Sequence, residues 1–129
     1  MRSVVGAWAV CALLAIIALV GCSGEEDDRE RLEEMEQEIL DYVGNPVCEE
    51  ESDCRYIGVG AKPCGGPWYY LVYSMGSVDS VGLADMVSVY NDYNDRLNRE
   101  HGWNSDCSVP NEPELVCREE RCVDAANPQ

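Results

Sequence analysis

Six cysteines, Cys48, Cys54, Cys64, Cys107, Cys117 and Cys122, are the residues of this 129-residue chain best equipped for chemistry. A cysteine sulfur can attack as a thiolate, bind a metal or close a disulfide, and its neighbours decide which. As a nucleophile it needs a base to take its proton, most often a histidine. The chain has one histidine, His101, placed where a helix is expected to end. There an imidazole commonly just meets the last backbone carbonyls. As zinc ligands, cysteines come in close pairs of the Cys-x-x-Cys kind, and these six contain no such pair. An even set in a small exported domain reads instead as three disulfides. Their pairing is left open by the sequence, because six sulfurs can combine in many ways.

Other chemistries find less support. A serine nucleophile would need the same single histidine, and no Gly-x-Ser-x-Gly elbow is present. Paired carboxylates could cleave glycans, but with 25 acids some pair must lie close, so proximity carries no information. Gly58-Val59-Gly60 lacks the third glycine of a phosphate-cradling loop. Calcium is the one ion the acids would suit. Glu49, Glu50, Glu51 and Asp53 form one cluster, and Asn91, Asp92, Asn94 and Asp95 another. Neither has the Asp-x-Asp-x-Asp-Gly grammar, so solvated acidic faces and no cofactor are expected.

The segment from Lys62 to Tyr70 is the candidate for recognition. Lys62 is the only lysine, and it stands out in an acidic chain. Pro63 and Pro67 stiffen the loop, a disulfide at Cys64 pins it, and Gly65 and Gly66 let another backbone approach. A rigid loop loses less entropy on binding. Trp68, Tyr69 and Tyr70 follow at once, and Trp and Tyr are common anchors. The expected binding residues are therefore Lys62, Gly65, Gly66, Trp68, Tyr69 and Tyr70, with Lys62 exposed. In general shape the loop is similar to the insertion loop of small protease inhibitors. The competing reading is a structural turn that feeds a core strand.

Positioning these residues requires a frame. Leu32, Met35, Ile39, Leu40 and Val43 make one apolar stripe, predicting a helix from about Arg29 that stops at Gly44 and Pro46. Arg55 to Gly60 alternates weakly, as a strand would. Trp68 to Tyr73 is the best strand by β-branched and aromatic content. It is rich on both faces, so it is either covered on both sides or offers one face for binding. Asp79 or Ser80 starts a second helix carrying Leu83, Met86, Val87, Tyr90, Tyr93 and Leu97, which stops at His101-Gly102. Residues 114–124 read as a hairpin around Glu119-Glu120. Two glutamates suit the tightest turns poorly, which points to a four-residue loop. The fold expected is α+β: a disulfide-stapled domain with two helices packed on a three- or four-stranded antiparallel sheet. Its expected core is Trp68, Leu71, Met86, Val87, Tyr90, Leu97, Leu115 and Val116.

The N-terminus sets the address. Met1-Arg2-Ser3 precede an uncharged apolar run from Val4 to Val20, the grammar of an export signal. The run ends Leu19-Val20-Gly21-Cys22. Here the sequence resembles the lipobox of bacterial membrane lipoproteins. The resemblance implies a diacylglyceryl group on the Cys22 sulfur, cleavage before Cys22, and usually a third acyl chain, such as palmitate, on the new amino group. Two or more chains anchor a protein stably to a membrane. It also implies an envelope location, periplasmic or surface-facing, with Ser23 favouring the outer membrane in a host with two membranes. The organisation expected is a signal over 1–21, an acidic tether over 22–28, a domain over 29–124 and a loose tail over 125–129.

With 25 acids against 9 bases the net charge is −16. Such a chain repels nucleic acid phosphates and anionic headgroups. The function these observations imply is a lipid-anchored, extracytoplasmic, non-enzymatic binding module whose partner is a protein or an envelope polymer. Alternatives are a small protease inhibitor acting through Lys62–Tyr70 and an envelope hydrolase.

Overall fold

A computed structural model describes residues 23–127. The segment 1–21 expected to be an export signal, the expected lipidation site Cys22 and the last two residues of the tail lie outside the described residues. The chain divides into two compact units, 1–31 and 32–129.

Helix α1 spans Ser23–Val43 and begins in the first unit. The stretch 23–28, expected as an extended tether, is therefore helical. Two local effects offset the repulsion among its acids. Glu25 and Glu26 occupy the first turn, where carboxylates meet the positive end of the helix dipole. Arg29 pairs with Glu25 one turn away at 2.8 Å.

The second unit continues α1 and adds a short 3-10 turn at Glu51–Asp53, strands β1 (Cys54–Val59) and β2 (Tyr69–Ser74), and helix α2 (Ser80–His101). It ends with strands β3 (Leu115–Arg118) and β4 (Arg121–Asp124). The fold is α+β with two helices, but the strands form two antiparallel sheets of two strands each, β1–β2 and β3–β4, rather than one sheet of three or four. The segment before β1 explains the split. Cys122 N–H donates to the Pro46 carbonyl at 2.8 Å and Cys48 N–H to the Glu120 carbonyl at 3.0 Å. This bridge, centred on Val47 and Arg121, occupies the β4 edge that a larger sheet would need. The hairpins are joined covalently instead: Cys54 in β1 bonds Cys122 in β4, and Cys48 bonds Cys117 in β3. The third disulfide links Cys64 to Cys107.

Helix α2 follows its local signals. The Asp79 carboxylate accepts from Val81 N–H at 3.1 Å and Gly82 N–H at 3.2 Å, the N-cap arrangement. Gly102, at φ 64°, ends the helix in the left-handed conformation that glycine adopts most freely. Leu83, Val87, Tyr90 and Leu97 recur at helical spacing and are buried, together with Leu32, Ile39 and Val43 of α1. Val59 and Tyr73 complete this core from the first hairpin, and Ile57, Tyr69, Leu71 and Met86 pack against it. Val72 instead joins Cys48, Cys54, Cys122 and Leu115. The β1–β2 hairpin thus has packing on both faces, which accounts for apolar side chains at successive positions of β2. Of the expected core, Val87, Tyr90 and Leu97 are buried, whereas Leu71, Met86, Leu115 and Val116 are part-buried. Trp68 is 39% exposed and precedes the strand.

The second hairpin differs from expectation. Arg118 pairs directly with Arg121, so the connection is two residues, Glu119 at φ 52° and Glu120 at φ 59°. That is the type I′ geometry, normally filled by Asn-Gly. The flanking Cys117 and Cys122 are each held to the first hairpin region by a disulfide, and the Glu120 carbonyl is engaged by Cys48. The surroundings therefore fix a turn that its own residues disfavour. The tail is tied at its start. Ala125 N–H donates to the Glu114 carbonyl at 2.7 Å, and Ala126 N–H to Asp124 Oδ1 at 3.0 Å.

Candidate binding cleft

The loop singled out in the sequence is pinned inward. Lys62 is only 6% exposed, which corrects its expected place on the surface. Its ammonium donates to the Ser108 carbonyl at 2.6 Å, the Ser108 hydroxyl at 2.9 Å and Asp106 Oδ1 at 3.3 Å. It also lies 5.1 Å from the centre of the Trp68 ring. Three acceptors and an aromatic face compensate the ammonium for lost water. The Ser108 N–H and hydroxyl, followed by Lys62, hold the Asp106 carboxyl below the usual range. The Cys64–Cys107 disulfide ties the same two segments. Gly65 at φ 95° and Gly66 at φ 84° close a tight turn, with Gly65 N–H on the Lys62 carbonyl and Lys62 N–H on the Gly66 carbonyl, both at 2.8 Å.

An asparagine clasp on α2 fixes the base of this loop. Asn91 Oδ1 accepts from Gly60 N–H at 2.6 Å, and Asn91 Nδ2 donates to the Gly58 carbonyl at 3.2 Å. Asn94 Oδ1 accepts from Ala61 N–H at 2.8 Å and from Trp68 Nε1 at 3.0 Å. Asn98 Nδ2 donates to the Ala61 carbonyl at 2.7 Å. The polar cluster weighed for calcium therefore includes two residues that face the protein, while Asp95 pairs with Arg99 on α2. In the other acidic cluster, Asp53 Oδ2 accepts from Glu49 N–H at 2.8 Å and Glu50 N–H at 3.1 Å. Those two donors lower its pKa. Trp68 rests on Gly60, whose φ of +84° and closeness to the indole leave no room for a side chain.

All six cysteines among the described residues are bonded in pairs. The Cys48, Cys54 and Cys122 sulfurs lie within 4.8 Å of one another because two disulfides are adjacent. His101 stacks on Trp103 at 5.3 Å.

Tyr69 and Tyr70 part company with the rest of the loop. They line an open cleft of about 950 Å³, walled by β2, by Glu36 and Leu40 of α1, by residues 110–113 and by the end of β4. Lys62, Gly65, Gly66 and Trp68 are not among its lining residues. The Tyr69 hydroxyl donates to Glu36 Oε1 at 2.6 Å. Burial first, then this carboxylate, pushes the Tyr69 phenol well above its ordinary range. Burial and the Glu36 charge likewise push the Tyr90 phenol up to about 12. The Tyr70 ring meets Tyr56 edge-on at 5.1 Å, and a hydrogen bond with Glu112 raises the Tyr56 phenol. Leu40 is 38% exposed here, off the buried stripe of α1. Pro110 and Pro113 stiffen the facing segment.

Sequence reading misses most of the cleft. Glu36, Leu40, Glu112, Arg121 and Asp124 come from three separate segments, and only long-range packing brings them together. Tyr69 and Tyr70 are legible as binding candidates, whereas Leu40, expected as part of the apolar stripe of α1, is instead exposed to the cleft. Comparisons of the chain with protein-family models, with curated proteins and with solved structures find no match, so the site's own geometry is what bears on function.

Proposed function

We propose that this protein is a lipid-anchored, extracytoplasmic binding module, tethered to the membrane through Cys22, and that the cleft beside β2 is its binding surface. The lipobox letters Leu19-Val20-Gly21-Cys22 and the three disulfides support the address. The observation that carries the binding role is the cleft itself: part-buried Tyr69 and Tyr70, prolines and Leu40 around about 950 Å³. Concave sites of this size lined by aromatic and apolar groups with a few polar ones suit ligands. The walls are held by the Cys54–Cys122 bond and the Tyr69–Glu36 hydrogen bond, so little order is lost on binding. The partner is a protein or an envelope polymer. The inhibitor alternative depended on an exposed lysine, and Lys62 is buried.

The test uses the full chain expressed in a bacterial host. Mass spectrometry should find an acylated Cys22 as the first residue. A photo-crosslinking residue at position 70 should capture a discrete partner, and one at exposed position 89 should not. An unmodified N-terminus at Met1, or equal capture at both positions, would overturn the proposal.

A further inference from the structure

One wall of the cleft is backbone. In the first hairpin Cys54 lies opposite Ser74, and Met75 N–H donates to the Asp53 carbonyl at 2.9 Å. Hydrogen-bonded and non-bonded pairs alternate along an antiparallel ladder. This phase makes Arg55 with Tyr73, Ile57 with Leu71 and Val59 with Tyr69 the bonded pairs. Tyr70 and Val72 therefore aim their N–H and C=O groups away from β1. Both residues line the cleft. Ser74, next in phase, is already engaged, since its carbonyl accepts from Ser77 and Val78. Among the described residues the β2 edge is thus closed at Ser74 and open over Tyr70–Val72, and β4 does not fill it, being bridged to Val47.

An open edge is a template for another strand. What would occupy it follows from charge. The cleft carries Glu36, Glu112 and Asp124 against Arg121, in a chain of net charge −16. A cationic segment is attracted, and a second copy of this acidic chain is repelled. Resting on the reading of the cleft as the binding surface, we propose that it takes an extended, basic segment of a protein partner as a third strand on β2. The partner's main chain bonds Tyr70 and Val72, and its lysine or arginine side chains meet the acidic rim.

The test is a titration of the full chain, disulfides intact and in detergent, with a capped peptide of alternating lysine and valine. Amide exchange is read by NMR. The Tyr70 and Val72 amides should become protected, while the already bonded Leu71 amide should not change. N-methylating the peptide's edge-facing amides should weaken binding by about tenfold or more. A glutamate-valine peptide should not bind, and salt should weaken the lysine peptide. Binding that ignores N-methylation or charge would overturn strand addition and leave the cleft as a binding surface. So would a glycan fragment that shifts the Tyr70 and Val72 signals when the peptide does not. If neither probe perturbs the cleft, both readings fall.

Discussion

Replacing Glu119-Glu120 with Asn-Gly should stabilise the protein by about 1–2 kcal/mol, and the working is short. Both glutamates sit in the left-handed region, at φ 52° and 59°, where a side chain crowds the following carbonyl at a cost of roughly 1–2 kcal/mol per residue. Asparagine tolerates this conformation and glycine has no Cβ to crowd. The glycine gives back about 0.5–1 kcal/mol through the greater freedom of the unfolded chain. Little else is lost. Both side chains are exposed and neither carboxylate is hydrogen-bonded among the described residues. The bond from Cys48 N–H uses the Glu120 carbonyl, which a glycine retains. The change also removes two negative charges from a chain at −16, which relieves self-repulsion slightly. The assay is guanidinium unfolding with all disulfides closed. The midpoint should rise at unchanged slope, and Tm should rise by about 4–8 °C for each kcal/mol. Glu119→Val should act in the opposite sense, because a β-branched residue is least tolerant of positive φ. An unchanged or less stable Asn-Gly variant would refute the claim that the surroundings impose this turn on unwilling residues.

Gly60→Ala should destabilise by about 2–4 kcal/mol and shift tryptophan fluorescence, since its Cβ would fall 2.3 Å from Trp68 Cδ1 at a φ of +84°; normal stability would show that Trp68 does not rest there. Stability should decline in alkali: the Tyr90 phenol is raised from 10.0 to about 12, so its contribution is whole below the unfolded value and is lost as pH rises through the folded one. Tm measured across that window should fall less in Tyr90→Phe, and identical profiles would contradict the assignment. With limiting dithiol, Cys64–Cys107 should open first, because both cysteines are exposed whereas Cys48, Cys54 and Cys122 are 2%, 1% and 3% exposed. Peptide mapping after alkylation checks this, and early labelling of Cys48 would count against it.

How far the sequence reaches depends on the range of each interaction. The ends of α2 were legible because Asp79 and Gly102 act within a turn of the helix they bound. That the six cysteines pair was legible from their number and setting. Which ones pair was not, because Cys54 and Cys122 meet only after two hairpins pack. Lys62 was misplaced for the same reason: its acceptors, Asp106 and Ser108, lie far along the chain. The split of the sheet turns on Pro46–Cys48 reaching β4, for which no local pattern exists. The asparagine clasp did leave a trace. Asn91, Asn94 and Asn98 interleave with Val87, Tyr90 and Leu97 on one helical face, and polar residues inside an apolar stripe are there to satisfy somebody's backbone.

The burial of Lys62 has a practical corollary. It is the only lysine in the sequence, so the folded domain shows amine-seeking reagents almost no side-chain target: acylating labels, sugars and lysine-cutting proteases all meet a closed door. Any molecule modified at that nitrogen must first have swung residues 106–108 aside. The rate of acylation at this one side-chain nitrogen, read by peptide mass mapping that separates it from the N-terminal amine, is therefore a clock for local opening.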